Sequence, residues 1–192
     1  MLTQSSLFNH QPKQILGLDY IPNFITEAQA QELMQFIDSN PWDSTIKRRT
    51  QHYGYRYNYK QIDEVESLGQ IPQELQQLAE LLLERGIFNV TPNQIIINEY
   101  LPGQGIAPHI DHTEHFAETV CSLSLESACQ MDFIYGAKKV SQTLEPRSLL
   151  VFKRDARYKW QHGIAPRKSD VIQGVRRARG RRVSVTFRVV KL

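Results

Sequence analysis

Arg182-Val183-Ser184-Val185-Thr186-Phe187-Arg188, with Val189 following, alternates without a break. In an extended chain, residues two apart point to the same side. Val183, Val185, Phe187 and Val189 therefore share one face, and Arg182, Ser184, Thr186 and Arg188 share the other. The apolar face predicts a strand packed on a core. The opposite face carries two cations, and an unpaired buried charge is very costly, so both arginines call for anionic partners. Six residues of strand separate their Cα atoms by about 20 Å. Each side chain reaches roughly 6–7 Å, which leaves a gap of about the length of a five-carbon diacid. Guanidinium geometry favours bidentate pairing with a carboxylate. Carboxylates of the protein itself would satisfy the same two arginines, so the strand alone leaves both readings open.

Working outward, the segments Gln94–Leu101, Val120–Leu125, Gln130–Tyr135 and Ser148–Phe152 are also strand-like, separated by Gly, Pro and charged turns. Two helices precede them. Thr26 with Gln29 forms a capping-box pattern, Ala30, Leu33, Met34 and Ile37 follow at helical spacing, and Asn40-Pro41 end the run. The second helix starts at Pro72, buries Leu75, Leu78, Ala79 and Leu82, and closes at Gly86. Helices first and short strands afterwards predict an α+β protein built on a β-sandwich or jelly roll. One domain is expected over residues 1–192. Residues 1–20 are expected to be loosely held apart from Ile15, Leu16 and Leu18, and the catalytic jelly roll is expected over 94–192. Between the helices, residues 42–60 are unusually aromatic, with Trp42, Tyr53, Tyr55, Tyr57 and Tyr59.

Pro108-His109-Ile110-Asp111 follows the Gly-rich turn Pro102-Gly103-Gln104-Gly105. Pro108 disfavours helix just before it. In extended chain His109 and Asp111 present an imidazole and a carboxylate to one ion. His162, in Gln161-His162-Gly163, is the best third ligand, and two histidines with one carboxylate make the facial arrangement of non-haem iron oxygenases. A rival is a helical zinc site using His112 and His115, against which Pro108 and the glycines argue. Asn98 and Tyr100 also lie two apart on a strand and can offer an amide and a phenol to one cavity.

Composition narrows the function classes. The 192 residues are 41% hydrophobic and 22% charged, with net charge +3, values ordinary for a soluble globular domain. No apolar run is long enough to span a bilayer, so no membrane partner is expected. The N-terminal sequence lacks the basic and apolar regions of a secretory signal, and a cytoplasmic monomer is expected. Cys121 and Cys129 sit in apolar, strand-like sequence and read as reduced, buried thiols. Basic residues gather at Lys47, Arg48 and Arg49, and again at Arg176, Arg177, Arg179, Arg181 and Arg182. Such clusters can track a phosphate backbone or simply be a solvated surface.

Five segments in order resemble the AlkB family of iron(II)- and 2-oxoglutarate-dependent dioxygenases. They are Asn98-Glu99-Tyr100-x-Pro102-Gly103, His109-x-Asp111, Ser122-Leu123-Ser124-Leu125, His162-Gly163-Ile164 and Arg182-x-Ser184-x-Thr186-Phe187-Arg188. The resemblance runs from about residue 47 to the end. It is closest to the subgroup containing the animal AlkB domain that hydroxylates a modified wobble uridine in transfer RNA. That likeness rests on Arg48-Arg49, His52-Tyr53-Gly54-Tyr55, Gln104-Gly105-Ile106, Met131-Asp132-Phe133, Arg147-Ser148-Leu149-Leu150, Ala165-Pro166-Arg167-Lys168 and Ser184. Two departures stand out: Ser184 replaces the Asn of the DNA-repair prototype, and Glu126 stands where relatives usually carry Gly.

The resemblance implies a double-stranded β-helix (jelly roll) that uses iron(II), 2-oxoglutarate and dioxygen. His109, Asp111 and His162 would ligate iron. Arg182, assisted by Tyr100, would bind the distal carboxylate of 2-oxoglutarate, and Arg188 with Asn98 its chelating end. Arg157 and Asp170 are candidates to orient the distal histidine. Residues 42–60 would form a nucleotide-recognition lid. There Tyr53, Tyr55 and Tyr57 would stack on a base, and Arg48, Arg49 and Arg56 would meet phosphates. The implied reaction is oxidation of alkylated or modified nucleobases in DNA or RNA. Modified-uridine hydroxylation in tRNA, and action on a protein or small molecule, are the alternatives.

Overall fold

The computed structural model describes residues 15–57 and 65–191. A seven-stranded sheet runs in the order β1-β9-β6-β13-β4-β2-β3. Its strands are β1 (Leu18–Ile21), β2 (Thr50–Tyr57), β3 (Val65–Ser67), β4 (Gln94–Tyr100), β6 (Phe116–Glu126), β9 (Leu149–Phe152) and β13 (Arg182–Val190). A four-stranded sheet, β5-β10-β7-β8, combines β5 (Ile106–His109), β7 (Cys129–Tyr135), β8 (Lys138–Leu144) and β10 (Gln161–Ile164). β11 (Ser169–Ile172) and β12 (Val175–Ala178) form a separate hairpin. The two larger sheets make the jelly roll.

Alternation sorts the large sheet into two chemistries. On one side, Ile95 and Ile97 of β4, Cys121, Leu123 and Leu125 of β6, and Val183, Val185 and Phe187 of β13 join one core. Leu33 and Ile37 of α1 (Glu27–Ser39) and Leu75, Ala79 and Leu82 of α2 (Gln73–Glu84) complete it. Between the sheets lies a second core of Tyr100, Val120, Met131, Phe133, Leu150, Phe152 and Ile164. Cys121 and Cys129 are both free and buried, as their sequence context suggested.

Helix ends follow the sequence signals closely. Thr26 Oγ1 accepts from Gln29 N and Gln29 Oε1 accepts from Thr26 N, a complete capping box. Gly86, at φ +67°, donates its N–H to Leu83 O. Two boundaries differ from expectation. Of the segment expected to be loosely held, residues 1–14 lie outside the described residues; Ile15 is buried as expected, Leu16 is exposed, and Asp19 and Tyr20 are held in β1, which pairs with β9 from Leu18↔Phe152 to Ile21↔Leu149. The sheet also begins well before residue 94, because β2 pairs with β4 from Thr50↔Asn98 to Gly54↔Gln94.

Two glycines control how closely the small sheet can be built. A Cβ on Gly105 would lie 2.1 Å from Ile164 O, and one on Gly163 would lie 2.9 Å from Pro108 N and 3.0 Å from Ile106 O. Both contacts are with backbone, so no side chain can swing aside. This close approach lets β10 pair with β5 at the register His162↔His109. Gly163→Ala should force the two strands apart, with a cost of about 2–3 kcal/mol by analogy with overpacked sites. Urea unfolding measures the loss, and cobalt(II) titration should show weakened metal binding in the folded fraction.

Candidate metal centre and diacid cavity

β5 ends on His109, Asp111 follows in the next turn, and β10 supplies His162. The cross-strand pairing sets the two imidazole centroids 4.4 Å apart. One ligand atom from each of His109, Asp111 and His162 lies within 4.8 Å of the others. His109 Nδ1 stands 2.9 Å from Ala107 O. A carbonyl only accepts, so Nδ1 carries a proton, and Nε2 is the ring atom left facing the carboxylate, 3.8 Å from Asp111 Oδ1. Desolvation pushes the His162 pKa down to about 4, so this imidazole is neutral at physiological pH, the form a metal requires. Burial pushes the Asp111 carboxyl up. Arg188, His162, His109 and Arg157 outweigh that and hold it below the usual carboxylate range.

His112 and His115 fall in a turn after Asp111, with centroids 4.2 Å apart and Glu114 close by. The segment is not helical, so the helical zinc site does not form.

The cationic face of β13 looks between the sheets. Arg182 and Arg188 are 3% and 5% exposed. Arg182 Nη2 donates to Ser124 Oγ at 2.9 Å, and its guanidinium lies over the Tyr100 ring at 5.3 Å. Arg188 Nη1 donates to Asp111 Oδ1 at 3.3 Å. Arg182 Nε and Nη1, Arg188 Nε and His162 Nδ1 are buried with no hydrogen-bond partner among the described residues. Orphaned donors of this kind are rare and costly. They fit a metal ion at the histidine end and an anionic ligand along the arginines. The cavity that joins them has a volume of about 480 Å³. Asn98, Tyr100, Ser122, Ser184 and Thr186 line it with the ligand cluster and both arginines. Burial raises the Tyr100 phenol, which stays protonated and able to donate.

The residues expected to orient the distal histidine act elsewhere. Arg157, 2% exposed, donates to Asp111 O at 2.7 Å and His112 O at 3.1 Å, and also reaches Phe116 O and Ala117 O. It therefore braces the turn that carries Asp111. Asp170 accepts from Arg179, Arg167 and Gln130 N, and so anchors the β11–β12 hairpin.

Residues 42–60 do not form the expected lid as a whole. Thr50–Tyr57 is a strand of the large sheet. Tyr53 packs on Phe36 at 6.2 Å and donates to Gln51 Oε1, on the helix side rather than in the cavity. Gly54 at φ +76° allows the backbone to pass Asn93 O, and Tyr55, like Val65, packs on the cluster of Phe116 and Val190. Arg56 sits opposite Glu66 in the β2–β3 pairing. The Tyr57 side chain and residues 58–60 lie outside the described residues.

The two arginines before β2 separate. Arg48 faces inward, its Nε donating to Asn98 Oδ1 at 2.9 Å and its guanidinium 5.4 Å from the Tyr100 centroid. Arg49 faces the other way, where it chelates the buried Glu99 and stacks on Trp42. The sequence reading missed Ile46, Thr50, His52 and Ile110, all of which line the cavity. Strand alternation through Thr50-Gln51-His52-Tyr53 was the available signal, since it places His52 opposite Tyr53. Burial, with Arg56 and Arg188 nearby, pushes His52 down to about 4, so it enters the cavity as a neutral imidazole.

Residues 17–188 match the family described as the 2OG-Fe(II) oxygenase superfamily. An Arabidopsis thaliana protein named "Alkylated DNA repair protein ALKBH8 homolog" is 34% identical over 92% of this chain and 59% of its own length. The Xenopus tropicalis "tRNA (carboxymethyluridine(34)-5-O)-methyltransferase alkbh8" is 37% identical over 82% of this chain, which corresponds to 26% of that protein. The Danio rerio "Probable RNA/DNA demethylase ALKBH6" is 30% identical, over 80% and 71%. The solved structure titled "The structure of OsALKBH1" aligns at a TM-score of 0.68 with 13% identity, covering 90% of this chain and 96% of that one, a likeness of fold. With the sequence match, the relatives and the jelly roll in agreement, the chain belongs to the 2OG-Fe(II) oxygenase superfamily and, within it, to the AlkB family.

Proposed function

We propose that this chain is an iron(II)- and 2-oxoglutarate-dependent dioxygenase that oxidises an alkylated or modified nucleobase in DNA or RNA. The observation that carries the catalytic part is the convergence of His109, Asp111 and His162 beside two buried guanidinium groups with unpartnered donors. The support for a nucleic-acid substrate is the set of relatives named for DNA repair, tRNA modification and RNA/DNA demethylation.

His109, Asp111 and His162 would hold the iron. Arg182, with Ser124 beside it and the Tyr100 ring against it, would take the distal carboxylate of 2-oxoglutarate. Arg188 and Asn98 would hold its other end. When bound, iron with 2-oxoglutarate and dioxygen supplies the oxidation: the co-substrate becomes succinate and carbon dioxide, and a substrate C–H becomes C–OH. The protein's own part is to position and to exclude water. Arg157 fixes the turn bearing Asp111, and the apolar residues Ile46, Ile96, Ile110 and Phe152 wall the cavity. Neutral His52 and Thr50 face the same space. They offer polar contacts to a base that has left its stack.

His109→Ala should abolish succinate formation while circular dichroism and the melting temperature stay near wild type; normal turnover would refute the ligand set. Arg182→Ala should raise the KM for 2-oxoglutarate about ten- to a hundredfold, the loss expected for a charge-assisted hydrogen bond. An unchanged KM would remove Arg182 from the co-substrate site. Release of labelled carbon dioxide from 2-oxoglutarate should rise with tRNA or methylated oligonucleotides. Formaldehyde production marks N-dealkylation, whereas a stable hydroxylated nucleoside in mass spectrometry marks hydroxylation. Turnover that no nucleic acid stimulates would move the reading to a protein or small-molecule substrate.

A further inference from the structure

Outside the cavity, two loops and a hairpin meet in a basic surface that the reaction leaves unused. A surface groove of about 640 Å³ is lined by Ile46, Lys47, Leu101 and Gln104 among others. A second, of about 300 Å³, shares Ile46, Lys47 and Gln104 and extends to Pro166. The second groove also shares Ile46 and Arg48 with the catalytic cavity. The depressions therefore form one path that starts at the cavity wall and runs toward the base of the β11–β12 hairpin.

The path has a fixed floor. Gln104 Nε2 donates to Lys47 O at 2.9 Å, and Gln104 Oε1 accepts from Leu101 N at 2.8 Å. One side chain thus ties the 44–48 segment to the 101–105 turn. Gly103 N donates to Arg167 O at 3.2 Å, and a Cβ at Gly103 would lie 3.8 Å from Lys168 Cγ. The Lys168 stem therefore crosses the same turn from the hairpin side. Lys47 and Lys168 are both exposed.

The charge along the path is one-sided. Glu99 is the only acidic residue lining it among the described residues. It is buried, and its oxygens are occupied by Arg49 and Arg181. Asp43, just upstream, already accepts from Thr45 N and Oγ1. Ile46 and Leu101 are 50% and 45% exposed, so apolar contact surface alternates with the ammonium groups. Cationic heads beside apolar patches are the chemistry of single-stranded nucleic acid, which offers phosphates and unstacked base faces together.

We propose that this groove carries the single-stranded RNA that flanks the reacting nucleotide, with Lys47 and Lys168 contacting its phosphates and Ile46 and Leu101 its bases. The inference rests on the nucleic-acid reading of the cavity and adds where the strand runs. It separates the residues that hold the chain from those that do the chemistry.

The test is fluorescence anisotropy of a fluorescein-labelled oligouridylate across a salt series, with wild type and Lys47→Ala/Lys168→Ala. Single-strand binding loses about 0.7 in the log–log salt slope for each phosphate contact removed, so the double variant should lose about 1.4. Its affinity at low salt should fall roughly tenfold or more. Succinate formation in the absence of RNA should match wild type, since neither lysine touches the cavity. Wild-type binding with an unchanged slope in the double variant would overturn the groove while leaving the function intact. Failure of the wild type to bind any oligonucleotide would overturn both. Equal binding of oligothymidylate would overturn the assignment to RNA.

Discussion

Two guanidinium groups held between β-sheets are the constraint on which the molecule turns. Arg182 and Arg188 are almost wholly buried and keep unpartnered N–H donors. Among the described residues, their side-chain acceptors are Ser124 Oγ and one oxygen of Asp111. Buried cationic donors left unmatched are expensive, and those left over here fit an anionic ligand. Stability and ligand binding are therefore linked: a diacid that binds only the folded state adds to folding stability. The opposing core, where α1 and α2 cover Val183, Val185 and Phe187, is what allows β13 to carry this load.

The reverse face of the same strands solves a similar problem with the chain's own charges. Glu99 lies between Asn98 and Tyr100 in sequence and points away from the cavity. Arg49 chelates it through Nε and Nη2, and Arg181 donates from Nε at 2.7 Å while also pairing with Asp38. Each of these arginines is next in sequence to one that enters the cavity, Arg48 and Arg182. Fixing Arg49 and Arg181 to a common carboxylate on one side therefore sets where Arg48 and Arg182 emerge on the other. Glu126, ion-paired to Arg181, sits at φ +65°. That is a backbone position suited to glycine, so the departure noted in the sequence places a glutamate in strained backbone.

What could be read beforehand was what obeys a local period. β13 alternates cleanly, so its two faces were legible, and β4 and β6 are apolar runs long enough to read as strands. His109 and Asp111 were legible because a proline and glycines forbid helix around them. The lid reading failed on Tyr53 and Arg49, because a strand's alternation gives two faces without saying which one meets the cavity. That choice comes from the pairing of β2 with β4, a non-local fact. It failed on Tyr55 because β2, past Gly54 at positive φ, leaves β4 and pairs with β3, where Tyr55 packs away from the cavity. β5, β10, β11 and β12 have four residues each, and the longer β8 is largely polar, so little in their composition distinguishes them from loops. Asp170 and Arg157 were singled out to orient the distal histidine, and each holds other partners instead.

The register His162↔His109 brings these strands to a common point. The small sheet contributes both imidazoles, and the large sheet contributes both buried arginines, so the cavity exists only when the sheets face each other at the correct separation. Neither sheet alone brings the imidazoles next to the arginines. The separation is set by side chains such as Phe133, Phe152 and Ile164 in the core between the sheets, and within the small sheet by backbone contact at Gly105 and Gly163. Phe152 touches both roles, lining the cavity with its ring 4.7 Å from that of His162. Packing between the sheets and ligand geometry are thus one constraint, and the glycines beside the histidines belong to the metal centre as much as the ligands do.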